Sequence, residues 1–326
     1  MPHPFRFSVQ AFTPTDPQDW ANTVTQAEDL GYSCLHLADH YLGPGPAAEA
    51  ASHPPQMVAA IPAMMSAAAL TSTIKVGARV MCVDYHHPVV LAKSLATIDF
   101  LSGGRLEAGY GAGWITSEYD AMGIPMDRAG VRIDRMIEHV ELARAYFAGA
   151  DLDQTGEHVN VHNMAGLPAS PQPNGPAIMI GGGSPRVLRT AGQLADIVSI
   201  NFDNSAGKIG AHGIGSGTAD GTREKIEWIR EGAGDRFDDI ELEIGAYFIA
   251  LTPDAASTPA TLEAMAGGFG MPPEVLAAHM HTLVGSVDEI CDTLEQRRDE
   301  YGISYINVAS RNMAAFAPVV ERLNGR

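Results

Sequence analysis

Segments of strand character and segments of helix character alternate along the whole sequence, and this alternation constrains the fold more than any other feature. Each short apolar or β-branched segment is followed by a segment with apolar residues at helical spacing. We count eight such units in the 326 residues. Alternation of this kind predicts parallel strands joined by helical crossovers. Eight units predict an α/β fold that closes into a TIM (β/α)8 barrel with insertions, and an open doubly wound sheet is the alternative.

The boundaries of these segments can be predicted from the same pattern. Strands are predicted at residues 5–11, 34–38, 74–83, 106–111, 177–180, 196–201, 240–251 and 303–309. Helices are predicted at residues 17–31, 55–71, 88–101, 127–147, 185–195, 222–232, 287–301 and 314–324, with helical pieces over 259–283. A polar excursion with a short strand pair is expected within 149–175. No composition break divides the chain, so we expect one domain over residues 1–326.

Composition and charge argue against several classes of function. The formal net charge of −18 opposes general nucleic-acid binding and attraction to an anionic membrane surface. The longest apolar run, residues 57–70, is too short to span a bilayer, and the first residues lack a signal-peptide pattern. Cys34, Cys82 and Cys291 form no CxxC pair and no metal-binding spacing, which suits the reducing cytoplasm. We therefore expect a cytoplasmic protein with no membrane segment, no nucleic-acid partner and no metal.

A glycine-rich turn follows the predicted fifth strand. Gly181, Gly182 and Gly183 precede Ser184 and Pro185, which open the next helix. Three glycines allow several backbone N–H groups to point the same way, and the helix N-terminus adds partial positive charge. With Arg186 nearby, this arrangement is typical of a phosphate-binding site, although a plain strand–helix turn has the same pattern.

A second glycine-rich segment ends the predicted fourth strand. Gly109, Gly111 and Gly113 alternate, so they share one face of an extended chain, and a flat ring system can approach where Cβ atoms are missing. The pattern is G-x-G-x-G followed by Trp114, which differs from the dinucleotide fingerprint G-x-G-x-x-G. Close packing inside a barrel is the alternative interpretation.

Polar residues follow three of the predicted strands, where a barrel carries its active site. Asp39 and His40 end the second strand, and an imidazole suits proton transfer near neutral pH. His86 follows the third strand, beside His87, without the further ligands that a metal site needs. Glu118 follows the glycine segment and is a possible acid or base, or a solvated loop carboxylate.

Taken together, these motifs resemble those of the bacterial luciferase-like flavin and deazaflavin oxidoreductases over nearly the whole chain. The matching segments are Ala38-Asp39-His40, Leu91-Ala92-Lys93, Ala96-Thr97-Ile98-Asp99, Leu101-Ser102-Gly103-Gly104-Arg105, Gly111-Ala112-Gly113-Trp114, Glu118-Tyr119, Met122-Gly123, Gly181-Gly182-Gly183-Ser184 and Ala191-Gly192-Gln193-Leu194-Ala195-Asp196. The resemblance implies a luciferase-like barrel with the cofactor ring at the carboxyl ends of the strands.

Asp39-His40 and the triple glycine are similar to the coenzyme F420-dependent branch of this family. The resemblance implies that His40 acts at the reacting centre. It also implies a non-prolyl cis bond near Arg79-Val80, behind the ring. The cofactor-binding residues implied are Asp39, Arg79, Val80, Gly111, Ala112, Gly113, Gly181, Gly182, Gly183 and Ser184.

One departure from that branch concerns the substrate. Its sugar-phosphate dehydrogenases have a glutamate after the fourth strand, at the position where this chain has Trp114, which we expect to form an aromatic wall. We therefore expect a homodimeric oxidoreductase that passes a hydride between coenzyme F420 and an unidentified small organic substrate. The alternatives are an FMN-dependent monooxygenase of the same family, a non-catalytic cofactor-binding protein, and a nicotinamide-dependent dehydrogenase on an open sheet.

Overall fold

A computed structural model describes residues 3–269 and 271–326, and the elements below belong to this part of the chain. The strands are β1 (Arg6–Gln10), β2 (Cys34–Leu37), β3 (Lys75–Ala78), β4 (Met81–Cys82), β5 (Leu106–Gly111), β6 (Asp151–Thr155), β7 (Asn160–Ala165), β8 (Ala177–Gly182), β9 (Ile197–Ile200), β10 (Glu241–Ala246), β11 (Phe248–Leu251), β12 (Thr282–Gly285) and β13 (Ile303–Ala309). The helices are α1 (Pro17–Asp29), α2 (Pro46–Ala51), α3 (Ala60–Leu70), α4 (Pro88–Ser102), α5 (Thr116–Met122), α6 (Ala129–Phe147), α7 (Pro185–Leu194), α8 (Ala211–Gly215), α9 (Ala219–Ala233), α10 (Thr258–Phe269), α11 (Pro273–Ala278), α12 (Val287–Tyr301) and α13 (Met313–Leu323).

The predicted closed barrel is confirmed. Strands β3, β2, β1, β13, β10, β9, β8 and β5 lie side by side in parallel, and pairing of β3 with β5 closes the ring. Helices cover its outer face, because their apolar stripes must be buried against the strands. In α1, for example, Trp20, Val24 and Ala27 are buried, and the Asp16 side chain accepts from the first N–H groups. All carboxyl ends of the strands therefore meet at one end of the barrel.

The prediction of one continuous third strand over residues 74–83 is wrong. Strands β3 and β4 are separated by Arg79 and Val80, whose peptide bond is cis, at the position that the family resemblance implied. Met81 resumes pairing, now with Tyr110 of β5. Residues 79 and 80 thus leave the ladder at the carboxyl end of the barrel.

The predicted seventh strand also divides in two. Strand β10 belongs to the barrel, whereas β11 pairs in parallel with β12 in a separate two-stranded sheet. The N–H groups of Tyr247 and Phe248 both donate to the carbonyl of His281, at the corner between the two sheets. Residues 282–283, predicted to be helical, are therefore in a strand.

The helix predicted at 55–71 begins later, at Ala60. The N–H of Gln56 donates to the carbonyl of Leu42, and the N–H of Met57 donates to that of Phe12, which holds this segment extended. Residues 46–51, which fall in none of the predicted strands or helices, form α2. The strand pair expected within 149–175 is confirmed as the antiparallel hairpin β6–β7.

Polar and charged side chains fill much of the barrel interior. Glu107 is buried and binds Arg6 and the Tyr305 hydroxyl, while Arg6 also binds Glu241 at 2.7 Å. These pairs satisfy the charges that burial would otherwise leave without partners. Across the described helices, none has both the length and the apolar character that crossing a membrane requires.

Candidate active site

A cavity of about 770 Å³ opens at the carboxyl ends of the barrel strands. This volume is within the range of pockets that bind cofactors and other small molecules. All the site residues predicted above line it: Asp39, His40, Arg79, Val80, Gly111, Ala112, Gly113, Gly181, Gly182, Gly183 and Ser184. The structure thus brings together the segments after β2, β3, β5 and β8.

Val80 occupies the space that the missing glycine side chains leave. A Cβ on Gly111 would lie 2.5 Å from Val80 Cγ2, and one on Gly181 would lie 3.3 Å from Val80 Cγ1. A Cβ on Gly109 would overlap with the carbonyl of Ala78. The prediction that the bare face of these glycines receives a ring is therefore wrong. The glycines admit Val80, and Val80 with the main chain at 111–113 and 181–183 forms the cavity wall.

The turn between β8 and α7 leaves the N-terminus of this helix without a side-chain cap. Ser184 is the N-cap residue of α7, but its side chain makes no capping hydrogen bond. The first-turn N–H groups of a helix have no partners within the helix, so they are available to a ligand. Arg186, predicted to add its charge here, instead binds Asp134 at 2.5 Å on the exposed surface.

Arg132 also lines the cavity and was not identified from the sequence. Its guanidinium donates to the carbonyls of Ala112 and Asp127, at 2.9 and 2.5 Å, and no carboxylate within hydrogen-bonding distance is found among the described residues. It is largely buried and lines the cavity. Arg132 therefore places a positive charge close to the Gly111–Gly113 segment.

His40 and Glu118 form a hydrogen-bonded pair beside the cavity. The Nδ1 of His40 lies 2.7 Å from Glu118 Oε2, and the N–H of Tyr41 donates to Oε1 at 2.6 Å. Burial acts to raise the pKa of Glu118, but the hydrogen bond from His40, the nearby imidazole and the Tyr41 N–H lower it overall. An ionised carboxylate can only accept, so Nδ1 of His40 carries the hydrogen and Nε2 is free to exchange a proton.

Asp39 is held rigidly beside this pair. Its Oδ2 accepts from the N–H of Cys82 at 3.1 Å and lies 2.7 Å from Nε2 of His86. His86 is therefore bound to Asp39, and it is not among the residues that line the cavity. His87 is exposed at the start of α4.

A second imidazole, that of His53, lies against His40. The two ring centroids are 4.4 Å apart, and Trp114 contacts both rings edge-on at 6.0 and 5.7 Å. Trp114 lines the cavity as the aromatic wall that we expected. No motif pointed to His53, which is a single histidine in a Gly-, Pro- and Ala-rich segment. Only its tertiary position beside His40 identifies it.

Two further clusters of polar side chains lie away from the cavity. His279 and His281 are buried and bind the carbonyls of Ile214 and Gly245, which agrees with a structural role. The ligand atoms of Cys34, His36 and Glu107 lie within 4.8 Å of one another inside the barrel. Arg6 and Tyr305 already bind that carboxylate, as described above, so its oxygens are engaged.

The chain is similar in sequence to known proteins. The sequence model of a family described as luciferase-like monooxygenases matches residues 2–286. A 5,10-methylenetetrahydromethanopterin reductase of Methanopyrus kandleri is 26% identical over 210 residues, which cover 61% of this chain and 56% of that protein. The chain thus matches little more than half the length of this relative.

Solved structures match over a greater length. The coenzyme F420-dependent tetrahydromethanopterin reductase of Methanopyrus kandleri superimposes with a TM-score of 0.74 at 19% identity, covering 99% of this chain and 100% of that chain. The monooxygenase RslO1 of Streptomyces bottropensis superimposes with a TM-score of 0.73 at 19% identity, covering 97% and 99%. At these identities the superpositions establish a shared fold.

Proposed function

Since the chain belongs to the luciferase-like monooxygenase family, whose members are oxidoreductases, we propose that it is a coenzyme F420-dependent oxidoreductase. In this proposal a hydride passes between the deazaflavin and an organic substrate. The observation that carries the proposal is the His40–Glu118 pair at the edge of a cavity in which Val80 and glycine main chain form one wall. The F420-dependent reductase among the superimposed structures supports the choice of cofactor.

The residues present fit a tricyclic cofactor with a phosphate-bearing tail. Val80, with Gly111 and Gly181 behind it, offers an apolar surface against which a flat ring can stack. Ser184 and the N-terminus of α7 offer N–H and hydroxyl donors for a phosphate, and Arg132 adds positive charge. The deazaflavin, when bound, supplies a ring carbon that accepts or gives up a hydride.

The chain's own residues would then move the proton and orient the imidazole that carries it. In substrate oxidation His40 Nε2 takes the hydroxyl proton as the carbon loses its hydride, and in reduction it returns that proton. Glu118 is a positioning residue, because its hydrogen bond fixes the tautomer and the orientation of the imidazole. Trp114 and His53 restrict access of water to this side of the cavity.

A flavin monooxygenase is the second candidate, favoured by the superposition with RslO1. Both candidates require the same cavity, so the cofactor itself is the discriminating measurement. Purified protein would be titrated separately with coenzyme F420 and with FMN, oxidised and reduced, and binding followed by fluorescence. We expect F420 to bind in the micromolar range and FMN at least about 10-fold more weakly.

The titration needs a control for binding in the cavity. Arg132→Ala removes a cation from the cavity wall, so it should weaken F420 binding, whereas Arg189→Ala changes an exposed cation bound to Glu231 and should not. Tight binding of FMN with no binding of F420 would exclude the proposed cofactor. Binding of F420 that no organic reductant or oxidant can turn over would favour a non-catalytic binding protein.

A further inference from the structure

Residues 203–210 form a strap across the mouth of the barrel. They follow β9, and in the closed ring of strands β9 lies opposite β2. The N–H of Ile209 donates to the carbonyl of Ala51, in the segment after β2. The N–H of Thr116, in the segment after β5, donates to the carbonyl of Gly207. The strap therefore reaches from one side of the mouth to the other, and backbone hydrogen bonds hold it there.

A buried lysine anchors the base of this strap. Nζ of Lys225 donates to the carbonyl of Asn201, just before the strap, at 2.7 Å. It also donates to the carbonyl of Ser216, beyond the other end of the strap, at 2.9 Å. Asn204 and Ile209, within the strap, line the cavity. The strap is thus an anchored part of the cavity wall.

The strap divides the mouth of the barrel into two sides. Strands β8, β5 and β3 lie on one side of the line from β9 to β2, and strands β10, β13 and β1 lie on the other. The first side carries Ser184 and Arg132, which hold the cofactor phosphate in the function proposed above. The second side is left for the substrate.

Apolar rings form much of the wall on the second side. Phe12 follows β1, and Phe248 follows β10. The rings of Phe248 and Phe269 meet edge-on, with their centroids 4.8 Å apart. All three side chains belong to residues that line the cavity. This side therefore suits the hydrocarbon or aromatic part of a substrate.

Arg311 brings a positive charge to the same side. It follows β13, which lies opposite β5 in the ring, so it is across the mouth from the segment that Arg132 binds. Arg311 lines the cavity and is exposed, and it has no hydrogen bond or ion pair with another described residue. Arg79, by contrast, is paired with Glu243 at 2.9 Å. A guanidinium without a partner offers paired N–H donors to a carboxylate or a phosphate.

The acidic residues of the cavity do not neutralise Arg311. Among the described residues that line it, these are Asp39, bound as described above, and Asp203. Asp203 accepts from the N–H of Ser205 at 3.0 Å and lies 3.4 Å from Nε2 of His212. The chain as a whole carries a formal net charge of −18, so the free guanidinium is a local exception to a field that repels anions.

We propose, building on the function proposed above, that the substrate is an organic acid with an apolar body, and that Arg311 binds its acidic group. The apolar body packs against Phe12 and Phe248, across the strap from the cofactor phosphate. The acidic group does not react, and its binding sets the direction in which the substrate enters the cavity. Arg311 is thus a specificity-determining residue.

The first test uses the protein without cofactor and pairs of probes that differ in the acidic group. Calorimetric titration would compare phenylpropanoate with phenylpropanol, hexanoate with hexanol, and phenethyl phosphate with phenylethanol. A hydrogen bond to a charged group corresponds to about 10-fold or more in affinity, so the acid of at least one pair should bind more tightly by that factor. Arg311→Gln removes the charge and should bring that pair within about 2-fold.

Matched variants separate the charge from the apolar contact. Arg230→Gln changes an exposed arginine beside Glu227 on α9 and should leave the difference intact. Phe269→Ala should weaken the acid and the alcohol by the same factor. Added salt should weaken the acid alone, because it screens an exposed charge. Equal affinities within every pair of the wild type, or a preference that survives in Arg311→Gln, would overturn the proposal.

The phosphate-bearing tail of the cofactor is a second source of acidic groups, and a titration with F420 distinguishes it. Arg311→Gln should change the F420 dissociation constant less than about 2-fold, unlike Arg132→Ala. A loss of F420 affinity in Arg311→Gln with the acid probes unaffected would assign Arg311 to the cofactor and overturn the proposal. A preference for acids in a protein that binds no F420 would reject the proposed cofactor and retain the anion site.

Discussion

The imidazole of His40 is hydrogen-bonded to one buried carboxylate, that of Glu118. Glu118 is fully buried, yet its pKa is lowered, because donors from His40 and the backbone of Tyr41 outweigh the effect of burial. A carboxylate in this state acts on the imidazole as the acidic partner does in a hydrolase triad. The two residues therefore form a hydrogen-bonded pair although 78 positions separate them in the chain.

Glu118→Gln should lower turnover about 100-fold or more, with the F420 dissociation constant changed less than about 3-fold. The amide keeps the size of the side chain but can donate as well as accept, so it no longer fixes the tautomer of His40. Nitrogen-15 NMR would report the tautomer directly. Unchanged turnover with an altered tautomer would show that the orientation of His40 does not limit the reaction.

Replacing the imidazole itself should have a larger effect on chemistry than on binding. We expect His40→Ala to reduce turnover by about 10²- to 10⁴-fold and to leave F420 binding within about 3-fold. His87→Ala, which removes an exposed histidine, is the control. Steady-state kinetics and a fluorescence titration check both quantities. Wild-type turnover in the first variant would remove His40 from the mechanism.

At the scale of elements, the junction between β8 and α7 has no room for a side chain at position 183. A Cβ on Gly183 would overlap with the carbonyl oxygen of Phe202, which is main chain and cannot rotate away. The backbone of this turn must therefore approach the segment after β9 closely. That approach sets the position of Ser184 and of the N-terminus of α7.

Gly183→Ala should destabilise the protein by about 1–3 kcal/mol, because the turn must move to relieve the overlap. The same movement displaces the helix N-terminus, so F420 binding should weaken about 10-fold or more. Gly210→Ala is the control, since nothing lies within 4 Å of the added Cβ and φ is −171°. Urea denaturation and a cofactor titration give the two values. Equal stability of both variants would contradict the close approach.

For the molecule as a whole, ionisable groups inside the barrel make stability depend on pH. Burial raises the pKa of Glu241 to about 7, and Glu107 nearby adds to the effect, although Arg6 opposes it. The folded pKa is above the unfolded value, so this residue's contribution is fully present below about pH 4.5 and is lost as pH rises through about 7. The contribution of Glu107 to stability has the opposite pH dependence, because its bond to Arg6 holds its pKa well below the usual range.

We therefore expect the free energy of unfolding of Glu241→Gln, taken relative to that of the wild type, to increase by about 1–3 kcal/mol as pH rises from about 5 to 8.5. The amide oxygen can still accept from Arg6, and it avoids burying a charge. Glu263→Gln, on the exposed face of α10, should show no such trend. Urea denaturation at several pH values measures the difference. A difference that does not vary with pH would show that Glu241 titrates normally.

Periodic segments were predicted closely because their pattern is local. Strands β5 and β13 and helix α12 have the predicted boundaries, since apolar spacing, turn glycines and caps all lie within the element. The predictions failed where a distant partner decides the outcome. The strand predicted over 240–251 bends at Tyr247 because His281 accepts its N–H, and residues 56 and 57 stay extended because Leu42 and Phe12 accept theirs.

The sequence by itself determined the closed barrel and the edge at which the cavity lies. Eight strand–helix units leave few alternatives, and parallel closure brings all carboxyl ends of the strands together, so Asp39, His40 and the two glycine segments had to meet. Only the tertiary structure decided which side chains touch. Val80 fills the gap left by Gly111, and Glu118 and His53 flank His40. Such contacts depend on how the loops fold over the barrel, and no local spacing encodes that.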